Sequence, residues 1–356
     1  MAQAVAREVS EGLVEQAIDG PLSARFRKEL RPVAVEGGRI VLVRKRLLEP
    51  GRATRGAVLL LHGYAQNRYA WHTSRRSLAN FLAAEGWDVF NLDLRGAGRS
   101  REHGTPAARS FADHVEGDLP AAVAEALEAS GERRLFLVGH SLGGALACSF
   151  AGRHPEAVRG VATLAGLYDF ARASRFVRML GRAAAALESF GVAPYLLPAT
   201  LRTDLVGAAL RLSRRAWDSP LAGLMPLQAW CPGSMEPDVL RESIARSFEP
   251  ASLGITLGLA RMAVGGVFCD EAGESYLDAF ERLEETPLCV LAGCSDLLVS
   301  AEDSRAAYDR SRSRDRTLRR FEPRDGGTGW GHIDLLLGRS APAHVWPFLR
   351  EWLGSR

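Results

Sequence analysis

Short apolar runs alternate with stretches of helical spacing along most of this chain, and that alternation predicts its fold class before any motif is considered. The run AVLLL at 57–61 is continuously apolar and stops at His62-Gly63, the pattern of a strand covered on both faces. Runs of strand character recur at 87–92, 135–138, 160–164 (GVATL) and 288–292 (LCVLA), with a more charged one at 316–321 (RTLRRF). Between them, 77–84 and 118–129 are spaced as helices. Such a succession predicts a mostly parallel central sheet flanked by helices. Ahead of it, 32–35 and 40–43 flank the turn Glu36-Gly37-Gly38 and predict a hairpin. Residues 1–30, with Val5, Val14 and Ala17 set among charges, read as a helical lead.

The alternation stops between 171 and 285. Phe176, Leu180, Ala183, Ala184 and Leu187 stand at helical spacing, as do Leu205, Ala209 and Leu212, and prolines at 194, 198, 220, 226, 232 and 237 cut the stretch into short pieces. The expectation is a large helical lid or cap insertion, dividing a single α/β core into a first part, 31–170, and a second, 286–356.

Bulk properties narrow the class further. Of 356 residues, 47% are hydrophobic and 24% charged, enough apolar material for a sizeable core without disulfide or metal staples. A formal net charge of +3 gives no reason to expect nucleic acid or an anionic membrane as partner. Cys148, Cys231, Cys269, Cys289 and Cys294 are odd in number and contain no CxxC pair, so neither a disulfide framework nor a metal site is expected. The acidic residues Glu8, Glu11, Glu15 and Asp19 interrupt any signal-peptide core, and no run of about 18 apolar residues suggests a spanning helix. A cytoplasmic protein needing no cofactor is the expectation; oligomeric state is not legible.

The sharpest chemistry lies in LFLVGHSLGGALACSFAG at 135–152. An apolar strand runs into Gly139-His140-Ser141-Leu142-Gly143 and then into a helix of small residues, the strand–turn–helix setting of a G-x-S-x-G nucleophile elbow. Gly139 and Gly143 are small because flanking backbones must pass close to the turn. Serine at this position also discriminates, since an aspartate would suggest dehalogenase or epoxide chemistry. Ser141 needs a base to act as a nucleophile.

Acyl transfer also needs two N–H groups aimed at the developing oxyanion. Leu142, following the nucleophile, supplies one candidate; Tyr64, in the turn His62-Gly63-Tyr64 after the first central strand, supplies the other. His62 is expected to brace its loop, and His140 to point elsewhere than its neighbour. Asp93, Arg95 and Gly96 form a second Gly-rich loop, expected to hold a structural ion pair rather than a dinucleotide.

The order Ser, acid, His leaves three histidines downstream. His154 ends the elbow helix and His344 falls inside a C-terminal helix, whereas His332 sits in a loop, Gly329-Trp330-Gly331-His332, that can reach the serine. Asp296, in Gly293-Cys294-Ser295-Asp296 after a strand, is the favoured acid; Asp169, after the preceding strand, is the alternative. Asp325 and Asp334 are expected to shape the loop around His332.

From about residue 58 to 352 these features resemble the α/β-hydrolase superfamily. HGYAQNRYAW, LDLRGAGRS and GHSLGG resemble its bacterial esterase and lipase branches. CSDLLVSAEDS and GWGHIDLLLGRSAPAHVWPFLREWL are similar to the ends of acid-lipase-like hydrolases and polyhydroxyalkanoate synthases, where a GH[IL]D segment carries the catalytic histidine. The resemblance implies Ser141, Asp296 and His332 as nucleophile, acid and base, and a serine hydrolase acting on an apolar small-molecule ester. Those synthases carry cysteine at the elbow, so Ser141 departs from them. Two other readings are an acyltransferase or thioesterase acting on a carrier-bound acyl group, and a non-catalytic binding protein on the same scaffold.

Overall fold

Every run of strand character between 57 and 321 forms a strand of one sheet. The computed structural model describes residues 9–49, 54–170, 228–265, 268–270, 274–326 and 329–356, with a few isolated positions between 171 and 227. In chain order the strands are β1 (Ser10–Asp19), β2 (Leu22–Val35), β3 (Gly38–Leu47), β4 (Ala57–Leu61), β5 (Asp88–Asp93), β6 (Leu135–His140) and β7 (Val158–Leu164). The two-residue β8 (Thr200–Leu201) and β9 (Ala251–Ser252) pair with each other, and β10 (Leu288–Gly293) and β11 (Arg316–Phe321) complete the main sheet. Its order is β1-β2-β3-β5-β4-β6-β7-β10-β11, antiparallel from β1 through the β3–β5 contact and parallel thereafter.

Alternate residues of the parallel strands feed two cores, one on each face. Leu59, Leu61, Phe90, Leu92, Leu137 and Val161 pack with helices α2 (Leu119–Ser130) and α3 (Leu142–Arg153). Val58, Leu60, Val89, Phe136, Val138 and Ala162 pack on the other face with α1 (Leu78–Ala84) and the C-terminal α8 (Ala341–Gly354). Burial on both faces explains why β4 is apolar at every position.

The helical lead does not exist in the described residues: 10–19 and 22–35 are strands. Period-two spacing decides it. Phe26 is buried while Arg25 and Arg27 are exposed, and Gly20-Pro21 turns the chain between β1 and β2 with Gly20 at φ +56°. Tertiary contacts then fix the hairpin: Gly20 N–H donates to Arg75 O at 2.9 Å, Ser77 N–H to Ile18 O at 2.8 Å, and Arg76 pairs with Asp19 at 2.7 Å.

Within 171–285, Phe176, Leu180, Ala184, Leu187, Leu205, Ala209, Leu212 and Trp217 lie outside the described residues. The remainder contains α4 (Pro237–Ser247) and α5 (Leu253–Ala263), besides a short helix at Asp278–Glu281. The second part of the core adds α6 (Ala301–Arg310) and α7 (Asp334–Leu337). No helix among the described residues is long and apolar enough to cross a membrane.

Candidate active site

Parallel strands place their C-terminal ends on one sheet edge, and the residues nominated by the sequence gather there. Ser141 follows β6 with φ +54° and ψ −123°, a backbone conformation that costs a non-glycine residue about 1–3 kcal/mol. Its surroundings hold it. Ser141 N–H donates to Leu164 O at 3.2 Å, and Ser141 O accepts from Gly144 and Leu167 N–H, both at 2.9 Å. A side chain on Gly139 would collide with the Gly143 carbonyl, and one on Gly143 with the Leu61 carbonyl, so both glycines are required by close backbone approach.

His332 and Asp296 meet. Nδ1 of His332 lies 2.7 Å from Oδ2 of Asp296, and Oδ1 of Asp296 accepts from Leu298 and Val299 N–H at 2.8 and 3.0 Å. The carboxylate is thus aimed by the turn after β10. Asp169 is engaged elsewhere, near Arg310 at 3.5 Å. The loop bearing His332 is tied to the Asp296 turn by Ser295 N–H donating to Trp330 O at 3.0 Å, and to the elbow by His140 Nε2–H donating to His332 O at 3.2 Å. The His140 and His332 rings are 4.6 Å apart. Burial, followed by the neighbouring His332 imidazole, pulls His140 well below the ordinary histidine range and keeps it neutral. Among the described residues the Ser141 hydroxyl has no hydrogen-bond partner, so contact joins His332 to Asp296 and His332 to His140, but not His332 to Ser141.

Asp334 shapes this loop. Its Oδ2 accepts from Gly331 and Cys231 N–H at 2.8 and 2.9 Å, and Oδ1 from the Ser234 hydroxyl at 2.7 Å. Burial pushes its carboxyl up to about 6, against backbone hydrogen bonds that favour the ionised form. Asp325 likewise accepts from Glu322 N–H and pairs with Arg319. His154 lies partly exposed beside Glu156, and His344 packs edge-on to Trp330 within α8.

The turn after β4 faces the elbow. His62 Nε2 accepts from Leu94 N–H at 3.1 Å, which leaves Nδ1–H to donate to Gly63 O at 2.9 Å. The ring is therefore neutral, as burial demands by lowering its pKa to about 4. Asp93 takes Arg68, and Arg95 pairs with Asp118 at 2.9 Å, so the loop after β5 is an ion-pair scaffold. Among the described residues neither Tyr64 nor Leu142 uses its backbone N–H in a hydrogen bond, and both line a cavity of about 50 Å³ with Gly63 and Gln66. The Tyr64 hydroxyl meets Thr256 of α5 at 2.7 Å, joining this turn to the insertion.

Gln66 was not legible from the motifs. Its Oε1 accepts from Gly63 N–H at 3.2 Å and stands 3.2 Å from His140 Nδ1. The point a Cβ on Gly63 would occupy is 2.8 Å from that oxygen and 2.9 Å from Ser141 Cβ, so the amide borders Ser141. A polar residue three positions beyond the turn glycine was the available signal. No cluster of three or more His, Cys, Asp or Glu among the described residues is placed to hold a metal.

A family model described as alpha/beta hydrolase fold matches residues 56–323. The chain belongs to that family. Among curated relatives in the same family, epoxide hydrolase B of Mycobacterium tuberculosis (strain ATCC 25618 / H37Rv) is 36% identical over 104 residues, 29% of this chain and 27% of the relative. Human lipase member K is 34% identical over 122 residues, 32% of this chain and 31% of the relative. The chain thus spans less than a third of the length of either. Among solved alpha/beta hydrolase-like structures, a soluble variant of monoglyceride lipase from Saccharomyces cerevisiae superposes with a TM-score of 0.59 at 16% identity, covering 99% of this chain and 96% of that one. The monoacylglycerol lipase of Paleococcus ferrophilus gives 0.56 at 20% identity, covering 86% and 96%. At these identities the likeness is one of fold.

Proposed function

We propose that this alpha/beta hydrolase cleaves carboxylic esters of apolar small molecules through an acyl-enzyme on Ser141, with His332 as base and Asp296 as its orienting acid. The observation that carries the reading is the 2.7 Å His332–Asp296 pair, set on a loop bonded to the residue preceding a strained elbow serine. Ser141 Oγ attacks the ester carbonyl carbon and its proton passes to His332 Nε2. The oxyanion sits on the unoccupied N–H groups of Tyr64 and Leu142. Collapse breaks the acyl–oxygen bond, and His332 returns the proton to the leaving alcohol. Water then attacks the acyl-enzyme with His332 again as base, releasing the acid and restoring Ser141.

Throughout, Asp296 keeps Nδ1 protonated, so that Nε2 is the face offered to Ser141. Epoxide opening of the kind suggested by one relative's name would need a carboxylate nucleophile at the elbow, and Ser141 is none. The part of the insertion rooted at 228–265 rests on the Tyr64 turn, the position of a cap that would supply an apolar pocket and shield the acyl-enzyme. The tail's resemblance to acid lipases is in keeping with an apolar acyl group.

A fluorophosphonate probe should label wild type at Ser141, located by peptide mapping. Ser141→Ala should abolish labelling and reduce p-nitrophenyl ester turnover by about 10⁴-fold or more. Undiminished turnover in that variant would end the proposal.

A further inference from the structure

His114 and Asp118 form a second buried histidine–carboxylate pair, close to the turn that carries Tyr64. Nδ1 of His114 lies 2.8 Å from Oδ2 of Asp118, and both residues belong to the π-helical turn Asp113–Asp118 that precedes α2. Wide turns of this kind are rare and recur at functional sites. Arg95 fixes Asp118 in its turn: its Nε–H donates to Oδ1 at 2.9 Å and its backbone N–H to Oδ2 at 3.2 Å. The bond from Nδ1–H to the carboxylate sets the tautomer, so a neutral His114 ring carries its lone pair on Nε2.

That nitrogen has no hydrogen-bond partner among the described residues, although His114 is only 5% exposed. A buried polar group left alone costs about 1–3 kcal/mol. His114 lines the cavity of about 50 Å³ that Tyr64, Leu142 and Gly63 also line. The Cβ point of Gly63 is 2.9 Å from Ser141 Cβ, so one space joins the unpartnered imidazole to the surroundings of the elbow. The remaining walls are small or apolar, among them Ala97, Ala107 and Ala108 from the loop after β5 and Ile255 from α5. Two contacts close these walls together: the Ser252 hydroxyl donates to Ala108 O, and the Tyr64 hydroxyl meets Thr256.

We propose that this cavity is the acyl subsite of the ester reaction, and that Nε2 of His114 accepts a hydrogen bond from a hydroxyl on a short acyl chain. An acyl group whose carbonyl oxygen rests on the Tyr64 and Leu142 amides leads from them into the space those residues share with His114. About 50 Å³ leaves room for roughly two or three methylene- or hydroxyl-sized groups. The alanines and Ile255 take the methylenes, and His114 takes the polar end. The inference rests on the Ser141 ester reading and narrows it: the acyl part is short and hydroxylated, and the apolar bulk of the ester falls to the alcohol.

Ethyl 3-hydroxypropionate and ethyl propionate differ by that hydroxyl alone, and pH-stat titration measures the acid released from each. Wild type is expected to favour the hydroxylated ester in kcat/KM by about tenfold or more, and to lose a similar factor from ethyl propionate to ethyl octanoate. His114→Asn keeps an N–H for Asp118 and removes Nε2, so it should bring the hydroxyl preference close to one. Ile255→Ala widens the cavity and should raise the octanoate-to-propionate ratio. Both readouts are ratios, and damage to folding that lowers every ester together does not mimic them. A hydroxyl preference missing in wild type, or surviving in His114→Asn, overturns the subsite.

Binding is read without turnover in ¹⁵N-histidine-labelled protein, with the His114 signals assigned by their loss in His114→Asn. Free 3-hydroxypropionate should shift His114 Nε2 saturably, and propionate should not. If Ser141 stays unlabelled by a fluorophosphonate and no ester is hydrolysed, the ester reading fails, yet this titration still decides the subsite: a saturable shift upholds it, and an unmoved signal or an equal shift with propionate overturns it. Labelled Ser141 with neither the preference nor the shift is a failure of the subsite alone.

Discussion

His140 donates its Nε2–H to the backbone carbonyl of His332, 3.2 Å away, so the residue before the elbow serine holds the loop that carries the imidazole. Its neutral state, imposed by burial, leaves that nitrogen one proton and one acceptor. If His332 is the base as proposed, His140→Leu should lower kcat by about 10- to 100-fold with KM little changed, because His332 is misplaced while the pocket is not. His140→Gln, which keeps a donor, should recover part of the loss. Equal effects on kcat and KM would point to a general loss of packing instead.

The Asp296 turn makes a sharper prediction. Asp296→Asn retains an acceptor for the Leu298 and Val299 N–H groups and so preserves the turn, but it no longer fixes the His332 tautomer. An expected fall of about 10⁴-fold in kcat, with a melting temperature close to wild type, separates this role from a structural one. Steady-state kinetics and a thermal melt decide it.

Asp334 should leave a pH signature on stability. Its carboxyl is raised from 3.8 to about 6 in the folded protein, so the native state holds this proton more tightly than the unfolded chain. The associated stabilisation is complete below about pH 4 and is lost as pH rises through 6, on the order of 3 kcal/mol in all. Asp334→Asn, which can still accept from Gly331 and Cys231, should flatten this fall. Urea titrations of both proteins at pH 4, 5, 6 and 7 measure the difference.

Phe26 tests the hairpin. It is buried where β2 meets the core shared with Ile18 and Trp71. Phe26→Ala should cost about 3–5 kcal/mol in denaturant unfolding. The folded fraction should still react with a fluorophosphonate, because the hairpin lies at the sheet edge away from the elbow.

The parallel core was legible because its strands are buried on both faces, and a run such as AVLLL has no polar residue to disguise it. The tight turn at Ser141 was legible for a related reason: Gly139 and Gly143 report backbone crowding that a sequence records directly. The hairpin was misread because Val14 and Ala17 fit a helical period as well as a strand period. What decided the matter, Gly20 and Ser77 bonding across to distant segments, is tertiary. Gln66 escaped for the opposite reason. Its importance comes from where the turn folds back upon the elbow, and no period or motif encodes that approach. Asp334 sits two residues from His332, but its hold on Cys231 and Ser234, a hundred positions earlier, belongs to the folded chain alone.

That hold has a mechanical meaning. One carboxylate clasps both the bend preceding His332 and the insertion's own segment at Cys231 and Ser234. Pulling them apart would strand a buried acid without its donors, at about 1–3 kcal/mol for each bond given up. The His332 loop and the 231–234 segment are therefore coupled, and any displacement of one carries the other with it.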